Sequence, residues 1–181
     1  MPAPNTFAKR SRGMPETELF EMSWEFFGEL CRVLALKVAQ SGYEPDLVIG
    51  IAKAGVIPGA VVASILRRDF YSLKISRDLG AERVRARPKI LSSAPQEANG
   101  KRVLIVDEIC TSGETLRMAL NALRQVGPAE LRTGTSLVKH GGYRPDFYAL
   151  ETEATVVFPW DRQVVNEEGE IVTNPLYEGL L

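Results

Sequence analysis

Hydrophobic and polar positions along this chain follow two periods in turn. From Trp24 to about Gln40, Phe27, Leu30, Cys31, Leu34 and Val38 recur at helical spacing and predict a helix with one buried face. Ser23 suits its N-cap and Gly42 its end. Asp46 to Ile51 is a short apolar run without alternation, the pattern of a strand buried on both faces. Ala52 to Ile57 reads as a loop, with Pro58 in the first turn of a helix running to about Arg68. Phe70 to Ser76 predicts another strand. Then Arg83, Arg85, Arg87 and Lys89 alternate with Val84, Ala86, Pro88 and Ile90, which predicts an extended ribbon with one basic face. Val103 to Val106 is again fully apolar. The helix after it, Glu114 to about Gln125, buries Leu116, Ala119, Leu120 and Leu123. Leu131 to Val138 predicts a strand, Lys139 to Pro145 a turn-rich segment, and Val156 to Phe158 a last short strand.

Strands alternating with helices predict an α/β fold, a three-layer sandwich with a mainly parallel central sheet. The expected domain spans residues 21–162, between a loosely held N-terminal tail (1–20) and a C-terminal tail (163–181) with a turn near Asn166 to Gly169. In such sheets ligands bind beyond the carboxyl ends of the strands. Three loops are candidates for that edge: Ala52 to Ile57, Asp107 to Gly113, and Lys139 onward.

Composition narrows the picture. At 181 residues with 45% hydrophobic and 25% charged content, the chain is an ordinary globular domain. A formal net charge of -1 gives no bulk attraction to nucleic acid or to a membrane surface. Cys31 and Cys110 lie in different elements without metal-ligand spacing, and His140 is the single histidine. No apolar run is long enough to span a bilayer, and no signal-peptide pattern is visible, so a cytoplasmic location is expected.

Residues 102–116, RVLIVDEICTSGETL, carry the chemistry. An apolar strand leads into two adjacent carboxylates, Asp107 and Glu108, then into the small loop Thr111, Ser112, Gly113, Glu114, Thr115 and a helix. Backbone N–H groups at a helix start attract phosphate. Carboxylates there can accept hydrogen bonds from sugar hydroxyls or face a divalent metal. Thr111 and Glu114 also have the spacing of a capping box. The run is not a Walker A loop, since no Gly-Lys-Ser/Thr follows, and the glycines at 50 and 55 lack dinucleotide-fingerprint spacing.

This run, together with GIAKAGVIPG at 50–59, resembles the type I phosphoribosyltransferase family, which uses phosphoribosyl pyrophosphate; the likeness extends over most of residues 20–162. The resemblance implies that Asp107 and Glu108 hold the ribose hydroxyls and Thr111 to Thr115 the 5′-phosphate. It gives the pyrophosphate to Lys53, Ala54 and Gly55. It also implies a mobile flap at about 77–100, a small C-terminal base-binding hood, Mg²⁺ as cofactor and a homo-oligomer, a dimer. Lys139 matches the lysine that contacts a 6-oxopurine in the purine (hypoxanthine, guanine, xanthine) branch. Val156 and Phe158 would then face the base, and Asp161 would join Asp107 and Glu108 near the metal. Two positions depart from that branch: Thr111 stands where an aspartate handles the purine proton, and Thr155 where an aromatic ring stacks on the base. The expected activity is transfer of 5-phosphoribose to a nitrogenous base, favouring a 6-oxopurine, with release of pyrophosphate. The alternatives are a non-catalytic sensor of phosphoribosyl pyrophosphate or a nucleotide, and a transferase with a non-purine acceptor.

Overall fold

A computed structural model describes the backbone of residues 7–8, 19–78 and 84–178, and the side chains of residues 19–76 and 88–178. In chain order the elements are β1 (Phe7–Ala8), β2 (Leu19–Glu21), α1 (Trp24–Gln40), β3 (Leu47–Ala52), α2 (Val56–Leu66), β4 (Asp69–Asp78) and β5 (Val84–Ile90). They continue with β6 (Arg102–Cys110), α3 (Glu114–Arg124), β7 (Glu130–Lys139), β8 (Phe147–Thr152), β9 (Thr155–Val157), β10 (Gln163–Val165) and β11 (Ile171–Thr173). They divide into two compact units, residues 29–152 and residues 1–28 with 153–181.

The larger unit is built on a six-stranded sheet in the order β5-β4-β3-β6-β7-β8. Strands β4, β3, β6, β7 and β8 pair in parallel, and β5 closes one edge antiparallel to β4. This is the mainly parallel α/β sheet that the apolar runs predict. Its two faces are separable by residue parity. Leu47, Ile49, Ile51, Leu73, Ile75, Val103 and Ile105 form one core with Leu116, Ala119 and Leu123 of α3. Gly50 and Leu104 have the opposite parity and meet the other helices. The Gly50 Cα lies 3.1 Å from where a Gly59 Cβ would sit, so α2 packs directly on β3. Leu34 of α1 packs near Gly134 and Leu104. Leu34, Ile49, Leu73, Leu104 and Ile105 are all fully buried, each stabilising the fold by about 1.5–3 kcal/mol relative to exposure.

Helix α1 starts as its sequence predicts: the Ser23 Oγ accepts from Phe26 N at 3.2 Å, and the Ser23 carbonyl from Phe27 N at 3.0 Å. Helix α2 begins at Val56 rather than Pro58, but Pro58 remains in the first turn, where no intrahelical N–H is needed. Strand β6 runs on to Cys110 instead of ending at Val106. Its pairing with β3 stops at Gly50↔Val106, whereas β7 continues beside it through Asp107↔Thr135 and Cys110↔Val138. The acid pair therefore lies inside a strand, where its neighbour on one side has turned away. Strand β8, unpredicted from the sequence, forms the edge beyond β7. The basic ribbon is β5, but Arg83 and the side chains of Arg85 and Arg87 lie outside the described residues; Lys89 is exposed.

The smaller unit contains a three-stranded sheet, β1-β2-β9, and the β10–β11 hairpin, whose turn is the one expected near Asn166 to Gly169. Its core is aromatic. Phe158 and Trp160 stack at 4.8 Å, Phe27 meets the edge of both, and Trp24 leans on Trp160.

Candidate functional site

Strands β3, β6 and β7 are adjacent and parallel, so their C-terminal loops leave the sheet on one edge. All three loops singled out in the sequence follow these strands. The first and second loops touch. Gly55 is buried, and a Cβ there would lie 2.7 Å from Asp107 Oδ1, 2.7 Å from the Ile51 carbonyl and 2.9 Å from Asp107 Cα. Only hydrogen fits between the Gly55 backbone and the carboxylate, so the segment Lys53-Ala54-Gly55 is brought against the acid pair. The Ala52–Lys53 peptide is cis, Lys53 is exposed, and Ala54 is half-buried.

Asp107 is buried, 7% exposed, and its Oδ1 accepts from the Glu108 N–H at 3.0 Å. Burial pushes its carboxyl well above the usual range, and the charge of Glu108 beside it pushes the same way. Glu108 is half-buried. The pair thus combines a carboxyl that resists ionisation with one closer to solvent. Such a pair can offer both a proton and an acceptor to a sugar diol.

The second loop leads from β6 into α3. Helix α3 opens on Gly113 at φ +75°, in the left-handed region that favours glycine, with no side-chain cap. The capping box suggested by Thr111 and Glu114 is not formed; the Ser112 Oγ instead reaches Glu114 N at 3.4 Å. Three carbonyls of the loop are turned away from its open side. Thr111 O accepts from Tyr143 N at 2.9 Å, Ser112 O from Arg117 Nη1 at 3.1 Å, and Gly113 O from Arg117 N at 2.9 Å. In a trans peptide the next residue's N–H points opposite to the carbonyl. The amides of Ser112, Gly113 and Glu114 therefore point away from those carbonyls, with the Glu114 N–H donating to Ser112 Oγ at 3.4 Å and the Gly113 N–H facing the Cys110 thiol. Thr111 and Ser112 are exposed; Glu114 and Thr115 are half-buried in the first turn.

The third loop lies on the second. A Cβ on Gly142 would be 2.4 Å from Thr111 O, and one on Gly113 would be 2.3 Å from Tyr143 Cγ. Lys139 ends β7, with its carbonyl accepting from Gly142 N at 3.1 Å. Desolvation lowers the pKa of its ammonium. Tyr143 and Arg117, whose guanidinium sits 4.6 Å from the tyrosine ring centre, are site residues that sequence reasoning missed. The signals were faint: Arg117 lies one helical turn after Gly113, and Tyr143 follows a glycine pair.

Lys53 to Gly55, Asp107, Glu108 and Thr111 to Thr115 are thus gathered on one edge with Lys139. Val156, Phe158 and Asp161 belong to the other unit. Phe158 is 6% exposed and packed by Trp160 and Phe27, so its ring offers no face to a base. The aromatics of the third loop and β8 are engaged too. Tyr143 is held between Gly113 and Arg117, Phe147 stacks on Tyr43, and Tyr148 lies between Lys37 and Arg144.

No group of three or more His, Cys, Asp or Glu side chains is placed to hold a metal ion among the described residues. Mg²⁺ does not require one. It commonly keeps its waters and takes one or two carboxylates plus substrate phosphates, a set that Asp107 and Glu108 fit.

Fold and loops together define an α/β domain with three touching loops at the carboxyl edge of a parallel sheet. Residues 23–168 match the family model of the phosphoribosyl transferase domain. The chain belongs to the type I phosphoribosyltransferase family, and within it the purine branch is the one it resembles. It is 25% identical over 158 residues to the xanthine-guanine phosphoribosyltransferase of Gluconobacter oxydans, covering 82% of this chain and 92% of that protein. It is 29% identical over 133 residues to the transcriptional regulator GfcR 2 of Methanosarcina barkeri, covering 67% of this chain and 64% of the regulator's length. The purine phosphoribosyltransferase of Pyrococcus horikoshii superposes with a TM-score of 0.70 at 26% identity, covering 82% of this chain and 98% of that one.

Proposed function

We propose that the protein transfers 5-phosphoribose from phosphoribosyl pyrophosphate to the nitrogen of a base, with a 6-oxopurine as first candidate, releasing pyrophosphate. The contact between Gly55 and Asp107 carries this reading. It supports reading the first loop as the pyrophosphate loop and Asp107 as a ribose-binding acid, since the donor's diphosphate on C1 adjoins the hydroxyls on C2 and C3. The amides of Ser112, Gly113 and Glu114 receive the 5′-phosphate. Asp107 and Glu108 take the ribose hydroxyls, and Lys53 with the backbone of Ala54 and Gly55 takes the diphosphate. As the glycosidic C–O bond breaks, positive charge grows on the ribose ring and negative charge on the leaving group. Glu108 favours the first and Lys53 the second. Asp107 and Glu108 would hold Mg²⁺, which would supply the remaining neutralisation of the leaving group. The family pattern gives the acceptor to Lys139, to the backbone near Val156 and to Phe158, and assigns Asp161 to the metal.

A second reading is a protein that binds the same donor, or a nucleotide, without turnover. Thr111 favours it, because a hydroxyl is a poor substitute for a carboxylate in moving a purine proton. The likeness to a transcriptional regulator supports it as well. One experiment separates the two: incubation with phosphoribosyl pyrophosphate, Mg²⁺ and a panel of purines and pyrimidines, with nucleotide and pyrophosphate measured. Nucleotide from hypoxanthine, guanine or xanthine is the expected result. Product from a pyrimidine alone would retire the purine acceptor, and donor binding without product from any base would favour the second reading.

A further inference from the structure

We propose that Arg117 and Tyr143 are positioning residues that pre-set the phosphate loop and lock the Lys139 turn to it, so that donor binding also orders the turn. The inference rests on the donor reading above and adds two residues to it. Neither side chain needs to touch the ligand. Arg117 closes the loop from the helix side, since its Nη1 donates to Ser112 O and its backbone N to Gly113 O. Tyr143 closes it from the third loop. Its N–H donates to Thr111 O, its carbonyl accepts from Cys110 Sγ at 3.4 Å, and its ring occupies the space above Gly113.

The two are themselves joined by the guanidinium over the ring. Remove the ring, and Arg117 loses the surface that holds it against Ser112 O. Remove the guanidinium, and the ring loses its outer support. In either case Ser112 O loses its guanidinium donor while the backbone donors to Thr111 O and Gly113 O stay, so the peptide between Ser112 and Gly113 gains freedom to rotate. The ordering cost is then met when the anion binds, rather than in advance. The Lys139 end follows from the same contacts. Gly142 is wedged against Thr111 O and donates to Lys139 O, so a shift of the phosphate loop must move the turn that carries the lysine.

The test is calorimetric titration of the full chain with phosphoribosyl pyrophosphate and Mg²⁺, for the parent, Arg117→Met, Tyr143→Leu, Tyr143→Phe and the Arg117→Met/Tyr143→Leu double variant. Arg117 is on the exposed side of α3, so its variant stays folded even if Tyr143→Leu does not. Each of Arg117→Met and Tyr143→Leu is expected to weaken the donor about tenfold. The double variant should lose little more than the larger single loss, because the two act as one unit. Tyr143→Phe keeps the ring and should stay within about twofold of the parent. Amide hydrogen exchange supplies the second readout. Donor binding should protect both 111–115 and 139–143 in the parent, but only 111–115 in Arg117→Met. If the parent binds no donor, the donor reading itself falls and this inference falls with it. If the parent binds and the single variants match it, or their losses add fully, the positioning role alone is overturned. Protection confined to 111–115 in the parent would also overturn the link to Lys139.

Discussion

Two aspartates, Asp46 and Asp107, stand at opposite ends of the β3–β6 strand pair, and their surroundings are opposite too. Asp46 sits just before β3, where its Oδ1 takes Arg102 Nη2 at 2.8 Å and its Oδ2 takes Arg102 Nε at 3.1 Å and Arg102 N at 2.9 Å. Those hydrogen bonds, first that of the guanidinium and then that of the backbone N–H, hold its carboxyl well below the usual range. Asp107 sits where β3 leaves β6, buried beside another acid, and burial drives its carboxyl up. The first arrangement fastens two strands. The second leaves a buried acid with no cation among the described residues that act most strongly on it, of the kind found at functional sites. The same residue type on one strand pair is thus a fastener at the amino edge and, under the proposed function, a ligand group at the carboxyl edge, where α/β sheets place their ligands.

The hardest test of the comparison is Gly55→Ala. The new methyl would lie 2.7 Å from both Asp107 Oδ1 and the Ile51 carbonyl. The Ile51 carbonyl, like Asp107 Cα at 2.9 Å, is backbone and cannot swing aside, so loop and strand must separate. Overpacking of this kind costs about 1–3 kcal/mol, and because it falls on the site itself, donor affinity should drop on the order of a hundredfold. Titration with phosphoribosyl pyrophosphate checks it. An unchanged affinity would mean that the carboxyl edge is structural after all.

The next effect in size is Asp107→Asn, which should divide function from stability. The amide keeps the shape but removes the buried titration, so donor affinity should fall at least about tenfold while the melting temperature rises at neutral pH. In a chain of this size the rise should be about 2–4 °C per kcal/mol gained. The sign follows from linkage. A carboxyl with a raised folded pKa holds a proton that the unfolded chain releases near pH 3.9, about where an unperturbed aspartate titrates. Stability therefore declines as pH climbs from there through the folded pKa. The gain of Asp107→Asn over the parent should be near zero at the acid end of that window and grow toward neutrality, as read by thermal melts across pH. A gain independent of pH would assign the effect to something other than the buried acid.

How much of this was legible beforehand varies with the range of the contact. The parallel core was, because Val48 to Ile51 and Val103 to Val106 are apolar without alternation, and a strand covered on both faces has no other way to read. The acid pair and the Thr111 to Thr115 loop were legible because strand, acids, loop and helix are consecutive. The length of β6 was not, since Asp107 and Glu108 look like a strand's end unless β7 is known to continue beside them. Strand β8 was obscured by its mixed face; only Phe147 in it is buried, and its edge is capped by Lys37 donating to Tyr148 O and Ala149 O. Arg117 and Tyr143 were hidden for a plainer reason. An arginine on a helix face and a tyrosine in a turn acquire meaning only when the fold stacks one on the other.

Arg102→Met is the smallest effect and the control for the amino edge. It removes the guanidinium from Asp46 while keeping the stem, at a site well away from the three loops. Because the pair is exposed to solvent and screened, its loss should lower the melting temperature only slightly. Donor affinity should not change. The pH dependence should be the reverse of that at Asp107. A carboxyl with a depressed folded pKa contributes stability that is present above its unfolded value, about 3.9, and lost as pH falls through the folded one. The difference between parent and Arg102→Met should therefore be full at neutral pH and shrink in acid, while that of Asp107→Asn, opposite in sign, also vanishes there. Added salt should narrow the first difference and leave the second, whose origin is burial, nearly unchanged. Should salt act on both alike, the contrast between the two edges would be one of exposure to the same long-range field, and the special status of Asp107 would be lost.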